Sequence, residues 1–426
     1  MKKLYITLLL LLVPCSMLLA QEQIRVWKQG TGTRFTNPEM VFSEDASSFT
    51  VADSTYNTSQ IDSITVVHTI YVTFNDGTAT VDLDHARDIT YTTDGAHVNI
   101  LSTNTKNELE FVLQGQSTQG SLTYEGPLKC KFYLNGLNLK SDRGAAIDIQ
   151  CGKRIDLILN PGTENFLEDA AGGEQKAAFY CKGHLEVSGS GSLTVTGNAR
   201  HGIATKEYMQ IKKSTGSITV NKAINDALHI GQYFLMNGGT LNISGQGGDG
   251  IQVEVKTLDD DITPDPDKED NGQMFIRGGN ISIAVTAICS KGIKAPKDLV
   301  VSGGKIGFIE RLDANKIKVN EYGIIASGNG SRGIQVSGNM LVNQDTDTTE
   351  IAVRATGGVY YYEDEEEEEH DTRCMGIKVG GNMTVNAGTI AVTNVGSGTR
   401  AIRIGGTLTT SPEAIVKGSV TYSSGD

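Results

Sequence analysis

Lys294, Gln335, Lys378 and Arg403 each follow an isoleucine that is itself preceded by a small residue, in Gly292-Ile293-Lys294, Gly333-Ile334-Gln335, Gly376-Ile377-Lys378 and Ala401-Ile402-Arg403. If the isoleucines occupy equivalent places in neighbouring strands, the four polar residues form one outward row. Like charges stacked at strand spacing repel unless an anion or solvent screens them. Such a row suits a linear polymer carrying carboxylates, and these four residues are the candidate carbohydrate-binding set.

A second row lies two residues before each apolar member, at Ala145, Ala177, His201, Asp226, Asp249, Lys291, Arg332, Met375 and Arg400. Strict alternation would turn these side chains inward, and five carry a formal charge, so the backbone must turn there. Asp226 and Asp249 then sit on adjacent strands, about 5 Å apart, which favours a bound cation or a raised carboxyl pKa. Calcium, held by carboxylate and backbone oxygens, is the expected metal, with Asn225, His229 and Glu254 nearby. The alternative is a pair of ordinary polar turns.

Other chemistry has less to build on. There is no Gly-x-Ser-x-Gly elbow and no phosphate loop. Elimination on a uronate polymer would need a base beside a neutralised carboxylate, and Lys291, Lys294 and Arg332 have suitable types. The acidic stretch from Asp259 to Asp270 lacks the spacing of an EF-hand and reads as a solvated loop. Tyr360-Tyr361-Tyr362, followed by acids from Glu363 to Glu369, also reads as a solvated loop, although its rings could stack on a sugar face.

Short strands must hold these rows in place. A small-apolar pair recurs with its apolar member at Ile147, Phe179, Ile203, Leu228, Ile251, Ile293, Ile334, Ile377 and Ile402, in steps of 32, 24, 25, 23, 42, 41, 43 and 25 residues. Further strands such as Leu185-Glu186-Val187 and Leu241-Asn242-Ile243 follow, separated by glycine-containing turns. One repeat of about three strands cannot bury its own apolar face, whereas stacked repeats can. The pattern predicts an all-β solenoid, a right-handed parallel β-helix, with a small N-terminal β cap. Three insertions, Lys256 to Gly272, Glu310 to Ser327 and Ala355 to Thr372, should project as loops.

The chain has 426 residues, 50 glycines, 8 prolines, 1 tryptophan and a net charge of −13, so no broad basic field supports binding to nucleic acid or an anionic membrane. Lys2 and Lys3, the apolar run Leu4 to Leu19 and Ala20-Gln21 have the layout of a secretory signal peptide. Residues 1–20 are read as that signal, 21–67 as the cap and 68–426 as the binding domain. Cys130, Cys151, Cys181, Cys289 and Cys374 have neither zinc nor disulfide-framework spacing and read as small buried hydrophobes.

Several stretches, among them "FYLNGLNLKSDRGAAIDIQCGKRIDLIL", "NDALHIGQYFLMNGGTLNISGQGGDGIQVE" and "RCMGIKVGGNMTVNAGTIAVTN", resemble the polysaccharide-lyase-like parallel β-helix family of exported bacterial carbohydrate-binding domain-containing proteins. The resemblance spans roughly Tyr71 to Val420, and the N-terminal segment resembles segments found ahead of this domain in Bacteroidetes proteins. It implies a right-handed β-helix that binds plant polysaccharide, including pectin-type polymers, with calcium in its turns and no established lyase activity. Members often carry Asp-Asp-Gly-Ile-His where this chain has Asn225-Asp226-Ala227-Leu228-His229 and Gly248-Asp249-Gly250-Ile251-Gln252, so Asp226 and Asp249 are the metal ligands carried over. Lys291, Arg332, Met375 and Arg400 replace the acid in later repeats. The expected function is a secreted, periplasmic or surface-held monomer that binds polysaccharide without catalysis. A calcium-dependent uronate lyase and an adhesive surface protein with a protein partner are the alternatives.

Overall fold

The computed structural model describes residues 23–422 apart from 30, 37–38, 85, 107, 259–261, 314–315 and 365–367. The expected signal peptide at 1–20, and parts of the two acidic stretches, lie outside the described residues. Among those described there is no α-helix, only a 3-10 turn at Thr58–Gln60, and no helix long and apolar enough to cross a membrane.

The chain divides into two units, Met1–His68 and Thr69–Asp426. In the first, Gln23–Lys28 pairs antiparallel with Thr31–Thr36 and with Ser63 to Val67, and Met40–Phe42, Ser48–Val51 and Ser54–Asn57 form a three-stranded meander. Ile24, Val26, Phe49 and Val51 are its buried core.

In the second unit almost every pairing is parallel and runs to the next repeat. Alternation explains the strands: Ser192–Gly197, SLTVTG, buries Leu193 and Val195 and turns its threonines outward. The inward residues join into one continuous apolar core from Ile70 to Ile404. Its early part is aromatic, with the rings of Phe111 and Phe132 stacked at 4.6 Å and Tyr124 against both.

The expectation of a plain right-handed β-helix solenoid is corrected by the strand pairing. Cys130–Lys140 pairs with both Arg154–Leu159 and Glu164–Glu168. From Arg154–Leu159 the ladder continues through His184–Ser188, Met209–Ile211 and Phe234–Met236 to Met274–Val285. From Glu164–Glu168 it continues through Ser192–Gly197, Ser217–Ala223 and Thr240–Ile243 to the same strand, Met274–Val285. The two ladders therefore close into a parallel β-barrel of ten strands with the other strands outside it.

The cause lies in two corners. A plain helix would end a strand at each glycine turn, but Gly136 (φ +73°) and Gly279 (φ +91°) let one strand bend and keep pairing on both sides. A residue with a Cβ rarely adopts that backbone. Two of the expected loops also turn out to be antiparallel ribbons: Leu299–Arg311 pairs with Ile317–Tyr322, and Val359–Glu363 with Glu369–Arg373. Outside the barrel a thirteen-strand ladder runs from Ile89–Asp94 to Val420–Tyr422, and it carries both polar rows.

Stacking this close leaves some turns no room for a side chain. A Cβ on Gly183 would collide with the backbone carbonyl of Lys153, whereas one on Gly152 meets nothing within 4 Å. Gly183→Ala is therefore expected to cost about 1–3 kcal/mol. Gly152→Ala should stay within about 0.5 kcal/mol of the parent. Urea unfolding midpoints of the two variants check the pair.

Candidate functional site

Ladder register decides which side chains meet. Ile251 faces Ile293, Ile293 faces Ile334, Ile334 faces Ile377 and Ile377 faces Ile402, all buried. One residue on, His229, Gln252, Lys294, Gln335, Lys378 and Arg403 follow one another rung by rung on the outer surface. The four candidate binding residues thus form a single row. Beside it, Lys291, Arg332, Met375 and Arg400 stand in register as a second row.

Cations dominate this half of the ladder. Asp249 takes up the first two: its Oδ2 lies 3.1 Å from Lys294 Nζ and its Oδ1 3.8 Å from Lys291 Nζ. Further along, Arg332, Lys378 and Arg400 form no ion pair with a carboxylate among the described residues. Arg332 instead donates to Gln335 Oε1 at 2.6 Å and Thr372 Oγ1 at 2.9 Å, and its Nε is buried without a hydrogen-bond partner. Burial, then the charges of Arg332, Arg403 and Lys291, push the Lys378 pKa below the ordinary lysine value. An anion over this row would relieve both the repulsion and the lost hydration.

Toward the other end the ladder carries a different cluster. Asp226 Oδ2 lies 2.9 Å from His229 Nδ1 and 3.3 Å from His201 Nδ1, and the two imidazoles stack at 4.2 Å between ring centroids. His229 Nε2 reaches Glu254 Oε1 at 3.4 Å. Burial disfavours a charged His229, but its hydrogen bonds to Asp226 and Glu254 outweigh that and raise its pKa to about 9. His201, 1% exposed, is shifted the other way, its pKa lowered chiefly by burial. Burial would raise the Asp226 pKa, yet its bonds with His201, His229 and the Asp249 amide hold it well below the usual range.

The proposed calcium ligands are adjacent, as register requires, but their oxygens are taken. Asp226 Oδ1 accepts the Asp249 N–H at 2.8 Å, and Asp249 Oδ1 accepts the Lys291 N–H at 2.8 Å. With imidazoles on one carboxylate and two ammonium groups on the other, the donor set does not fit calcium, which needs six or more oxygens. Sequence reading placed His201 in the row without a role. The signal was there in its register, one repeat before Asp226 and close to the outward His229.

A stack of His184, Tyr208 and Tyr233, with centroids 4.4 and 4.7 Å apart, lies at the entrance to the strands His184–Ser188, Met209–Ile211 and Phe234–Met236. Its rings cover one another's faces, and Tyr208 Oη donates to Glu186 Oε1 at 2.8 Å.

A family model described as carbohydrate-binding domain-containing protein matches residues 94–413. A curated carbohydrate-binding domain-containing protein of Acetivibrio thermocellus is 30% identical over 95 residues, 20% of this chain and 32% of that protein. The match thus spans less than a third of that relative's length. Among solved structures, a polysaccharide lyase-like protein from C. thermocellum, determined as a gadolinium derivative, aligns with a TM-score of 0.49 and 21% identity, over 65% of this chain and 97% of the other.

The histidine cluster gives a pH-dependent stability. His229 binds its proton more tightly when folded, so its contribution is full below about pH 6.5 and is lost as pH rises through about 9. The lowered Asp226 contributes above its unfolded value and loses that contribution only in acid. His229→Gln should therefore cost about 1–3 kcal/mol at pH 6 and progressively less toward pH 10. Unfolding midpoints of parent and variant at both pH values check this, and a cost independent of pH would contradict it.

Proposed function

The chain belongs to the carbohydrate-binding domain-containing protein family, and from that premise we propose that it binds acidic, pectin-type polysaccharide along Lys294, Gln335, Lys378 and Arg403, with Arg332 beside them. One observation carries the reading: the in-register row of cations on a chain whose overall charge is −13. Concentrating like charges at strand spacing destabilises the free protein, and a polyanion with repeating carboxylates reverses that cost. An extracellular setting, expected from residues 1–20, belongs to the same proposal.

Binding in this proposal does not pass through calcium at Asp226 and Asp249. Support comes from the hydrogen bonds and ion pairs that already engage both carboxylates. The alternative uronate-lyase reading needs a base, Lys291, Lys294 or Arg332, beside a neutralised carboxylate. Unsaturated product would reveal that activity by its ultraviolet absorbance. An adhesive role would show as no retardation by any glycan.

Affinity electrophoresis of the mature protein in gels containing polygalacturonate tests the proposal. Retardation should weaken as salt rises, remain in chelator, and fall about tenfold or more in the Lys378→Ala/Arg403→Ala double variant. Unchanged retardation of that variant would sink the cationic-row reading.

A further inference from the structure

We propose that the ribbon Val359–Glu363/Glu369–Arg373 is an aromatic wall beside the cationic row, so that the site takes a chain of uronic-acid rings in preference to other polyanions. The inference rests on the cationic-row reading above and adds the feature that would recognise a sugar ring.

Register sorts the ribbon into two faces. Tyr360 lies opposite Thr372 and Tyr362 opposite His370. Opposed residues share a face, as do residues two apart, so Tyr360, Tyr362, His370 and Thr372 are on one side. Tyr361, Glu363, Glu369, Asp371 and Arg373 are on the other. Within the paired strands the carboxylates are thus segregated from Tyr360 and Tyr362.

Two contacts turn the aromatic face toward the row. Thr372 Oγ1 accepts a hydrogen bond from Arg332 Nη2 at 2.9 Å. Tyr360 and Thr372 also pack over Gly330, two residues before Arg332, where a larger residue would meet both. Tyr362 is 45% exposed and lies 6.1 Å from Tyr360 and 5.5 Å from His370 between ring centroids. Tyr361, 72% exposed, points off the opposite face.

The arrangement supplies two kinds of contact at one place. Guanidinium and ammonium groups from Arg332 and Lys378 suit a carboxylate. A half-exposed tyrosine ring suits the C–H-rich face of a pyranose ring. A flexible polyphosphate offers charge without that face. At the tip Asp364, hydrogen-bonded to His370 Nε2 at 2.6 Å, and Glu368 repel any polyanion, so a bound polymer would run along the row and stop short of the tip.

The test titrates the full mature protein with polygalacturonate and with inorganic polyphosphate of matched charge. Tyr360→Ala/Tyr362→Ala should weaken polygalacturonate binding about fivefold while polyphosphate binding stays within about twofold. Tyr360→Phe/Tyr362→Phe, which keeps the rings, should bind both as the parent does, and unfolding midpoints report whether the variants fold. The wall is overturned if the alanine variant binds polygalacturonate like the parent, or loses both ligands equally. Loss of both ligands in Lys378→Ala/Arg403→Ala identifies the first of those outcomes as failure of the wall alone. An unchanged Lys378→Ala/Arg403→Ala protein overturns the cationic reading and the wall with it.

Discussion

Neighbouring parallel strands in the second unit are locked by the two-residue period of their side chains. A slip of one residue would turn Ile293, Ile334, Ile377 and Ile402 out to water and push Lys294, Gln335, Lys378 and Arg403 into the core. Exposing each buried isoleucine costs roughly 1.5–3 kcal/mol, whereas an exposed charge pair is worth up to about 1 kcal/mol. Burial wins by a wide margin. The core therefore dictates where the cations stand, and their mutual repulsion is tolerated because it cannot shift the register.

The same lock explains the carboxylates. Asp226 and Asp249 each accept the amide of the following strand, and a second turn does this with Asp298, Asn339 and Asn382, whose side-chain oxygens accept the N–H of Asn339, Asn382 and Thr407 at 2.7–2.9 Å. Asparagine serves this purpose as well as aspartate, so the rung itself needs no charge. Charge at Asp226 is used by the imidazolium of His229, and charge at Asp249 by Lys291 and Lys294. Beyond Asp249 that row continues with Lys291, Arg332, Met375 and Arg400, three of them cationic.

Both rows were legible in the amino-acid sequence because alternation is local: Gly-Ile-Lys in one repeat and Gly-Ile-Gln in the next are enough to pair Lys294 with Gln335. Barrel closure was not legible, since whether Gly136 or Gly279 ends a strand or bends it depends on hydrogen bonds from strands far away in sequence. The carboxylate partners were hidden for a related reason. Sequence spacing set Asp226 beside Asp249, but the orientation of each oxygen is decided by the amide above it and by His201, His229, Lys291 and Lys294. The acidic ribbon was misread as a loop because its composition, rich in glutamate, masks the strand-forming Val359 to Tyr362 and the matching Glu369 to Arg373.

The proposed polyanion site is compatible with a net charge of −13 because charges act over limited range. At physiological salt the field of exposed acids fades over about 8 Å. The charges that bear most on Lys378 are those of Arg332, Arg403 and Lys291, all positive. The distant acids slow the approach of a polyanion without deciding its fate on contact. Selectivity then has to come from something other than charge, since any polyanion satisfies a row of cations. In the proposed site the ribbon's two faces meet that need: Tyr360 and Tyr362 share the face whose Thr372 accepts from Arg332, while Glu363, Glu369 and Asp371 lie on the other. Folding the insertion as a two-stranded ribbon, rather than as a loop, is what separates attraction from repulsion across a few ångströms.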